Sequence, residues 1–234
     1  MTTQRLCQCL FIVLAICVGT ISELHATQPF WSMEPSTKSI DRADSLTGFD
    51  VISYDINLAI DDETHFISGV ISAWVLAEND LSSISYELMG GSLVVSDVKV
   101  NDQSVPFTHI DGVISIPTNQ TAATQFSTEV HYSGIPGNSP SPYNIGILFG
   151  SNAIYTLSNP DAGRYWWPSY DHPWDKALVD WHITIREDWL AAANGLRTSI
   201  TDNGNGKRTH HWHSASPVAT YVIGFAAGPY TELN

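Results

Sequence analysis

From Phe49 onward the chain keeps a two-residue hydrophobic period. Ile52, Tyr54, Ile56, Leu58 and Ile60 fall on one side, and Ser53, Asp55 and Asn57 on the other. That is the pattern of a half-buried β-strand, in which successive side chains point to opposite faces. The period returns at residues 66–75, where Gly69 is expected to mark a bulge, and at Ile84, Tyr86 and Leu88. It continues through residues 93–100, 105–109, 113–116, 124–132, 145–149, 153–157, 177–185, 196–201, 207–214 and 219–227. Asp61-Asp62-Glu63, Gly90-Gly91, Asn101-Asp102 and Asp111-Gly112 supply turns, the last two being hairpin-type pairs. No stretch before residue 130 has a helical period, and only residues 187–193 suggest a helical turn. Many short strands at close, turn-marked spacing indicate an all-β sandwich or barrel. There is no internal repeat or low-complexity tract, and the strands read as one domain from residue 49 to residue 234.

Residues 1–26 read as a signal peptide: Arg5 precedes an apolar core at residues 10–18, and Leu24-His25-Ala26 offers a small residue for cleavage. The apolar run is interrupted by Gln8 and is shorter than the ~20 residues a membrane span needs, so no stable span is expected. The expected location is secreted or periplasmic. Cys7, Cys9 and Cys17 all lie in this segment, which leaves a processed chain without disulfides despite export. Residues 27–48 form a polar arm. The formal charge of -14 repels phosphate backbones, arguing against nucleic acid as a partner. It suits solubility, and it also suits attraction of cationic ligands such as a peptide's amino end. Asn119-Gln120-Thr121 is a glycosylation triplet, meaningful only in a eukaryotic secretory route.

One segment breaks the alternation. Residues 155–176, YTLSNPDAGRYWWPSYDHPWDK, hold Tyr165, Trp166, Trp167, Tyr170 and Trp174 among Pro160, Pro168 and Pro173. Prolines at this spacing exclude helix and inner strand, and the density of rings argues against disorder. The segment is therefore an ordered irregular loop, a length usually kept for function. Within it Asp171 is expected to accept N–H bonds from irregular backbone and to pair with Arg164.

The run Asn159-Pro160-Asp161-Ala162-Gly163-Arg164, followed by Trp167-Pro168, Asp171-His172-Pro173 and Lys176, resembles a signature of the M1 family of zinc aminopeptidases. In that family the signature lies in the N-terminal β domain, a saddle-like β-sandwich of many short, mostly antiparallel strands. The resemblance implies that Arg164, Pro168, Asp171, Pro173 and Lys176 form the structural motif. It implies that Asn159, matching a usual Gln or Glu, contacts the substrate's amino end; a pre-proline turn role is the alternative. Leu157 stands where some members carry a second cleft glutamine, and Ser169 replaces a cysteine. The implied partners are a catalytic domain, in cis or in trans, and the N-terminus of a peptide.

No catalytic residue is assigned. A zinc peptidase needs His-Glu-x-x-His plus a third ligand, and this chain has neither that motif nor a Gly-Ala-Met-Glu-Asn run. Zinc is thus expected only in the catalytic domain of the full-length enzyme, and this chain is expected to be inactive alone. His210, His211 and His213 invite a metal reading, but no acid or cysteine lies beside them, and no metal site is assigned. The competing function is a stand-alone secreted module that binds glycans or a protein through Trp166, Trp167 and Trp174. A further expectation is that Tyr165, Trp166, Tyr170 and Trp174 face a missing partner domain.

Overall fold

The computed structural model describes residues 48–140 and 145–232. The expected signal peptide, the expected arm as far as residue 47 and part of the expected loop at residues 133–143 lie outside the described residues. The strands, in chain order, are β1 (Phe49–Asp61), β2 (Phe66–Ala77), β3 (Leu81–Glu87), β4 (Val94–Val100), β5 (Gln103–Ser104), β6 (Thr108–Ile110), β7 (Val113–Gln120), β8 (Gln125–Gly134), β9 (Gly146–Phe149), β10 (Ile154–Leu157), β11 (Lys176–Arg186), β12 (Leu190–Ala193), β13 (Leu196–Asp202), β14 (Lys207–Ala219) and β15 (Phe225–Gly228). Among the described residues, helix is confined to two 3-10 turns, Gly163–Tyr165 and Thr220–Val222. The fold is all-β, as the alternation implies.

The strands build three sheets. The largest has eight strands in the order β13-β14-β11-β1-β2-β8-β4-β5, the second runs β12-β15-β10-β9, and the third β3-β7-β6. Among the described residues only the central β1–β11 pair is parallel, and every other strand pairing is antiparallel. The inward row of the large sheet, including Tyr54, Ile56, Ile71, Val130, Trp181 and Ile183, merges with inward residues of the other two sheets into one apolar cluster. Its opposite face carries Asp55, Asn57, Ser72, Glu129, Asp180, His182 and Thr184, all exposed or half-buried. Two hairpins close as expected: Asn101-Asp102 and Asp111-Gly112 all take positive φ, the backbone of a type I′ turn.

Four local expectations are corrected. A bulge lies between Val51 and Ser53, not at Gly69. It puts Val51 in the core and shifts Ile52 off the inward row. Gly69 pairs in regular register with Leu58 and Tyr132, and a Cβ there would lie 2.4 Å from the Tyr132 ring. The glycine is needed for close approach inside a regular strand. Residues 187–193 do not turn as a helix: Leu190–Ala193 pairs as β12 with β15, the sheet ladder overriding alanine's helix preference. The strand expected over residues 219–227 is broken by Thr220–Val222. That turn carries the chain from β14 in the large sheet to β15 in the four-stranded one, a change of sheet that one straight strand cannot make.

Candidate functional site

The signature segment leaves β10, crosses the end of β3 and enters β11. Its backbone has few strand partners, so side chains take their place. Asp171, 2% exposed, receives two N–H groups at Oδ2: the Arg164 amide at 3.2 Å and the Arg164 Nε at 3.2 Å. Arg164 also donates from Nε to the Asp161 carbonyl at 2.9 Å and from Nη2 to the Asp171 carbonyl at 3.3 Å. Its Nη1 reaches Glu87 Oε1 at 3.0 Å. Glu87 and Ser169 exchange backbone hydrogen bonds, and the Met89 amide donates to the Arg164 carbonyl. One guanidinium thus joins both ends of the loop to the end of β3. Burial holds the Glu87 carboxyl above its ordinary range, even though Arg164 beside it acts in the opposite direction. Gly163 leaves the room: a Cβ there would meet Trp167 Nε1 at 3.1 Å and Asp171 Oδ1 at 3.4 Å.

The rings fasten the underside. Trp166 stacks on Trp181 of β11, with centroids 6.2 Å apart and planes 8° from parallel. Trp166 Nε1 donates to Ser158 Oγ at 3.2 Å. Trp167 meets Tyr54 edge to face at 4.9 Å, and the Tyr54 hydroxyl accepts the Tyr170 amide at 3.1 Å. Trp166 and Trp167 are 0% exposed, so they cannot form a glycan platform. Trp166 and Tyr170 likewise cannot face a partner domain, which corrects that expectation. Large flat rings are worth most to this segment as core. Tyr165 is half-buried, while Trp174 is 39% exposed and stacks on His172 at 4.7 Å. Burial, with Arg164 nearby, pushes the His172 imidazole below its ordinary pKa.

Pro168 is buried; Pro173 and Lys176 are exposed, Lys176 opening β11 opposite Ala219. Asn159 is exposed, directly after β10, and its bond to Pro160 is cis. Tyr155 and Leu157, on the same side of β10 by strand alternation, are 45% and 48% exposed. The strand and the residues just after it therefore present Tyr155, Leu157 and then Asn159 outward, while Ile154, Trp166 and Trp167 point into the core. Sequence reasoning missed Glu87, Tyr54 and Ser158. Each sits in or beside an ordinary strand pattern, and Glu87 lies 77 positions from the arginine it pairs with, so no local signal marks them.

The family model for the Peptidase M1 N-terminal domain matches residues 51–222. The chain belongs to this family. Leucine aminopeptidase 2 of Vanderwaltozyma polyspora is 25% identical over 190 residues, which cover 77% of this chain and 28% of that protein. A mutant M1 zinc metallopeptidase from Deinococcus radiodurans, solved with a Tyr-Ser-Ala substrate, is 29% identical with a TM-score of 0.72. That match covers 77% of this chain and 42% of the solved one. Legionella pneumophila aminopeptidase A, solved with aspartic acid, has a TM-score of 0.67 at 16% identity over 78% of this chain and 21% of that one; this likeness shows the fold alone. The chain spans less than half the length of each.

The zinc of such enzymes does not fit the residues described in this domain. A catalytic zinc takes three protein ligands and a water, and among the described residues no three His, Cys, Asp or Glu side chains are gathered to hold a metal. His210, His211 and His213 do not converge. His210 is buried in the core, whereas His211 meets His182 and His213 meets Asp180 on the opposite face. No catalytic step is assigned to them.

Proposed function

We propose that this Peptidase M1 N-terminal domain walls the substrate cleft of an exported M1-type zinc aminopeptidase, and that Asn159 contacts the amino end of the peptide. The enzyme as a whole would remove N-terminal residues from peptides, in the periplasm or outside the cell. Its water-activating metal and acid would come from a catalytic domain joined to this one or bound to it. The observation that carries this reading is the outward row of Tyr155, Leu157 and Asn159 on β10 and just after it, held from the other side where the buried Ser158 accepts the Trp166 Nε1 hydrogen. Apolar side chains exposed at this level suit a covering domain. An amide carbonyl at their end accepts a hydrogen bond from an ammonium without adding charge.

The test is kinetic. In the domain paired with its catalytic partner, Asn159→Ala is expected to lower kcat/KM for aminoacyl-amide substrates by about tenfold, the loss of one hydrogen bond to a charged group at its weak end. Substrates with a blocked amino group should be hydrolysed too poorly for the substitution to matter. Unchanged kcat/KM for free-amine substrates would remove Asn159 from the site.

A further inference from the structure

The polar face of the eight-stranded sheet carries a feature that the aminopeptidase reading does not use. His182 on β11 and His211 on β14 are direct cross-strand partners. Alternation sends both rings to the solvent side, away from Trp181 and His210, and both are half-buried. Their Nδ1 atoms face each other at 2.6 Å. The other nitrogen of each ring is already held. His182 Nε2 lies 3.1 Å from Asp55 Oδ2, and His211 Nε2 lies 3.0 Å from Thr201 Oγ1. Asp55 is itself fixed by Asn57 Nδ2 at 2.7 Å. Rings and carboxylate are therefore oriented by residues on β1, β11, β13 and β14.

Two imidazole nitrogens this close either share one hydrogen, donated from Nδ1 of one ring to the Nδ1 lone pair of the other, or hold a metal ion between them. We infer that His182 and His211 form a two-imidazole site for a divalent transition-metal ion of the zinc and copper class, completed by water. The arrangement around the pair is that of metal-bound histidines, in which the nitrogen not used for the metal is held by a carboxylate or other oxygen. At metal–nitrogen distances of about 2.0–2.1 Å, two ligands of a tetrahedral ion stand about 3.3 Å apart. The rings need to open by less than about 1 Å from their present contact, a small side-chain rotation on an exposed face. Metal capture displaces the shared proton to solvent, and the ion takes its place between the two lone pairs. Imidazole donors select copper, nickel and zinc over magnesium and calcium, whose preferred ligands are oxygens. Asp55, and Asp180 paired with His213 at 2.8 Å, supply compensating negative charge nearby.

The experiment is a titration of the full chain with Cu2+, Zn2+ and Mg2+ by calorimetry, with electron paramagnetic resonance of the copper form. The expected result is one tight Cu2+ per chain with two coupled nitrogens, weaker Zn2+ at the same place and no Mg2+ uptake. His182→Gln and His211→Gln should each lower Cu2+ affinity by about tenfold or more, and Asp55→Asn by about tenfold through ring orientation. His213→Gln, which spares the pair, should change it by no more than about twofold. Thermal melts establish that each variant is folded; should either histidine variant fail to fold, Asp55→Asn and the nitrogen coupling decide. Overturning results are Cu2+ affinity indifferent to both histidines, a signal without two coupled nitrogens, or no uptake at all, which would leave a shared proton as the bridge.

Discussion

The eight-stranded sheet and the loop between β10 and β11 hold themselves together differently. In the sheet, β1 and β2 pair residue for residue from Phe49 to Asp61 with one bulge, and the neighbours on either side repeat the arrangement. Its backbone groups are satisfied by other backbone, whatever the side chains on the solvent face. In the loop, backbone pairs with backbone in local turns and at the end of β3, and one carboxylate and one guanidinium fasten what those bonds leave, with four tryptophan and tyrosine rings beneath them. The sheet spreads its stability over many equivalent contacts, and the loop concentrates it in a few residues that have no substitutes. The outward row of Tyr155, Leu157 and Asn159 at the start of such a loop is as rigid as those few contacts.

The largest effect that tests this contrast is at the buried pair. Arg164→Ala leaves the Asp171 and Glu87 carboxylates without their cation, and Asp171→Ala leaves Arg164 with Glu87 alone and takes the acceptor from the Arg164 amide. Removing one member of a buried pair costs about 3–5 kcal/mol, and the 18% exposure of the Arg164 side chain places the expected loss at about 3 kcal/mol, the low end. Thermal or denaturant unfolding reads it; midpoints equal to the unsubstituted chain would show that the loop does not depend on the pair.

A smaller effect comes from pH. The His172 imidazole has its folded pKa below the ordinary value of 6.5, from burial first and Arg164 second. The unfolded chain then binds this proton more readily than the fold does. The contribution is present above pH 6.5 and is lost as pH falls through the folded value. Acidification over that window should loosen the loop, seen as a change in tryptophan emission and a lower unfolding midpoint. His172→Gln should flatten that part of the profile, and an unaltered profile would contradict the assignment. Smallest of all is a pair on the sheet's polar face, Lys99 with Glu129 at 2.7 Å. Exposed pairs of this kind add little, so Lys99→Ala should leave the unfolding midpoint where it is. A large drop would mean that the sheet too relies on single side chains.

The same contrast explains what could be seen in the sequence. Strand alternation is a local property, so β1, β2, β8 and β11 are legible from residue type alone. The hairpins at Asn101-Asp102 and Asp111-Gly112 are legible because few residues accept positive φ. The helical expectation at residues 187–193 failed because a ladder to β15 outweighs alanine's preference, and that ladder is formed with residues far along the chain. Trp166, Trp167 and Tyr170 look the same in sequence whether they form a surface platform or a core. Their burial depends on Tyr54 and Trp181, which come from other strands. The signature residues were legible as a motif through resemblance, but Glu87, the third charged group of the loop, carries no mark in its own neighbourhood.

The most direct measurement of the account is aminoacyl-amide hydrolysis by three samples: this chain alone, an M1-type catalytic domain that it fits alone, and the two together or fused. No turnover is expected from this chain alone, and a rise in kcat/KM is expected when the two domains are combined. That rise should fall back with Asn159→Ala while the Trp166–Trp181 core stays intact. Turnover from this chain alone, or a catalytic domain indifferent to its presence, would contradict the proposed function.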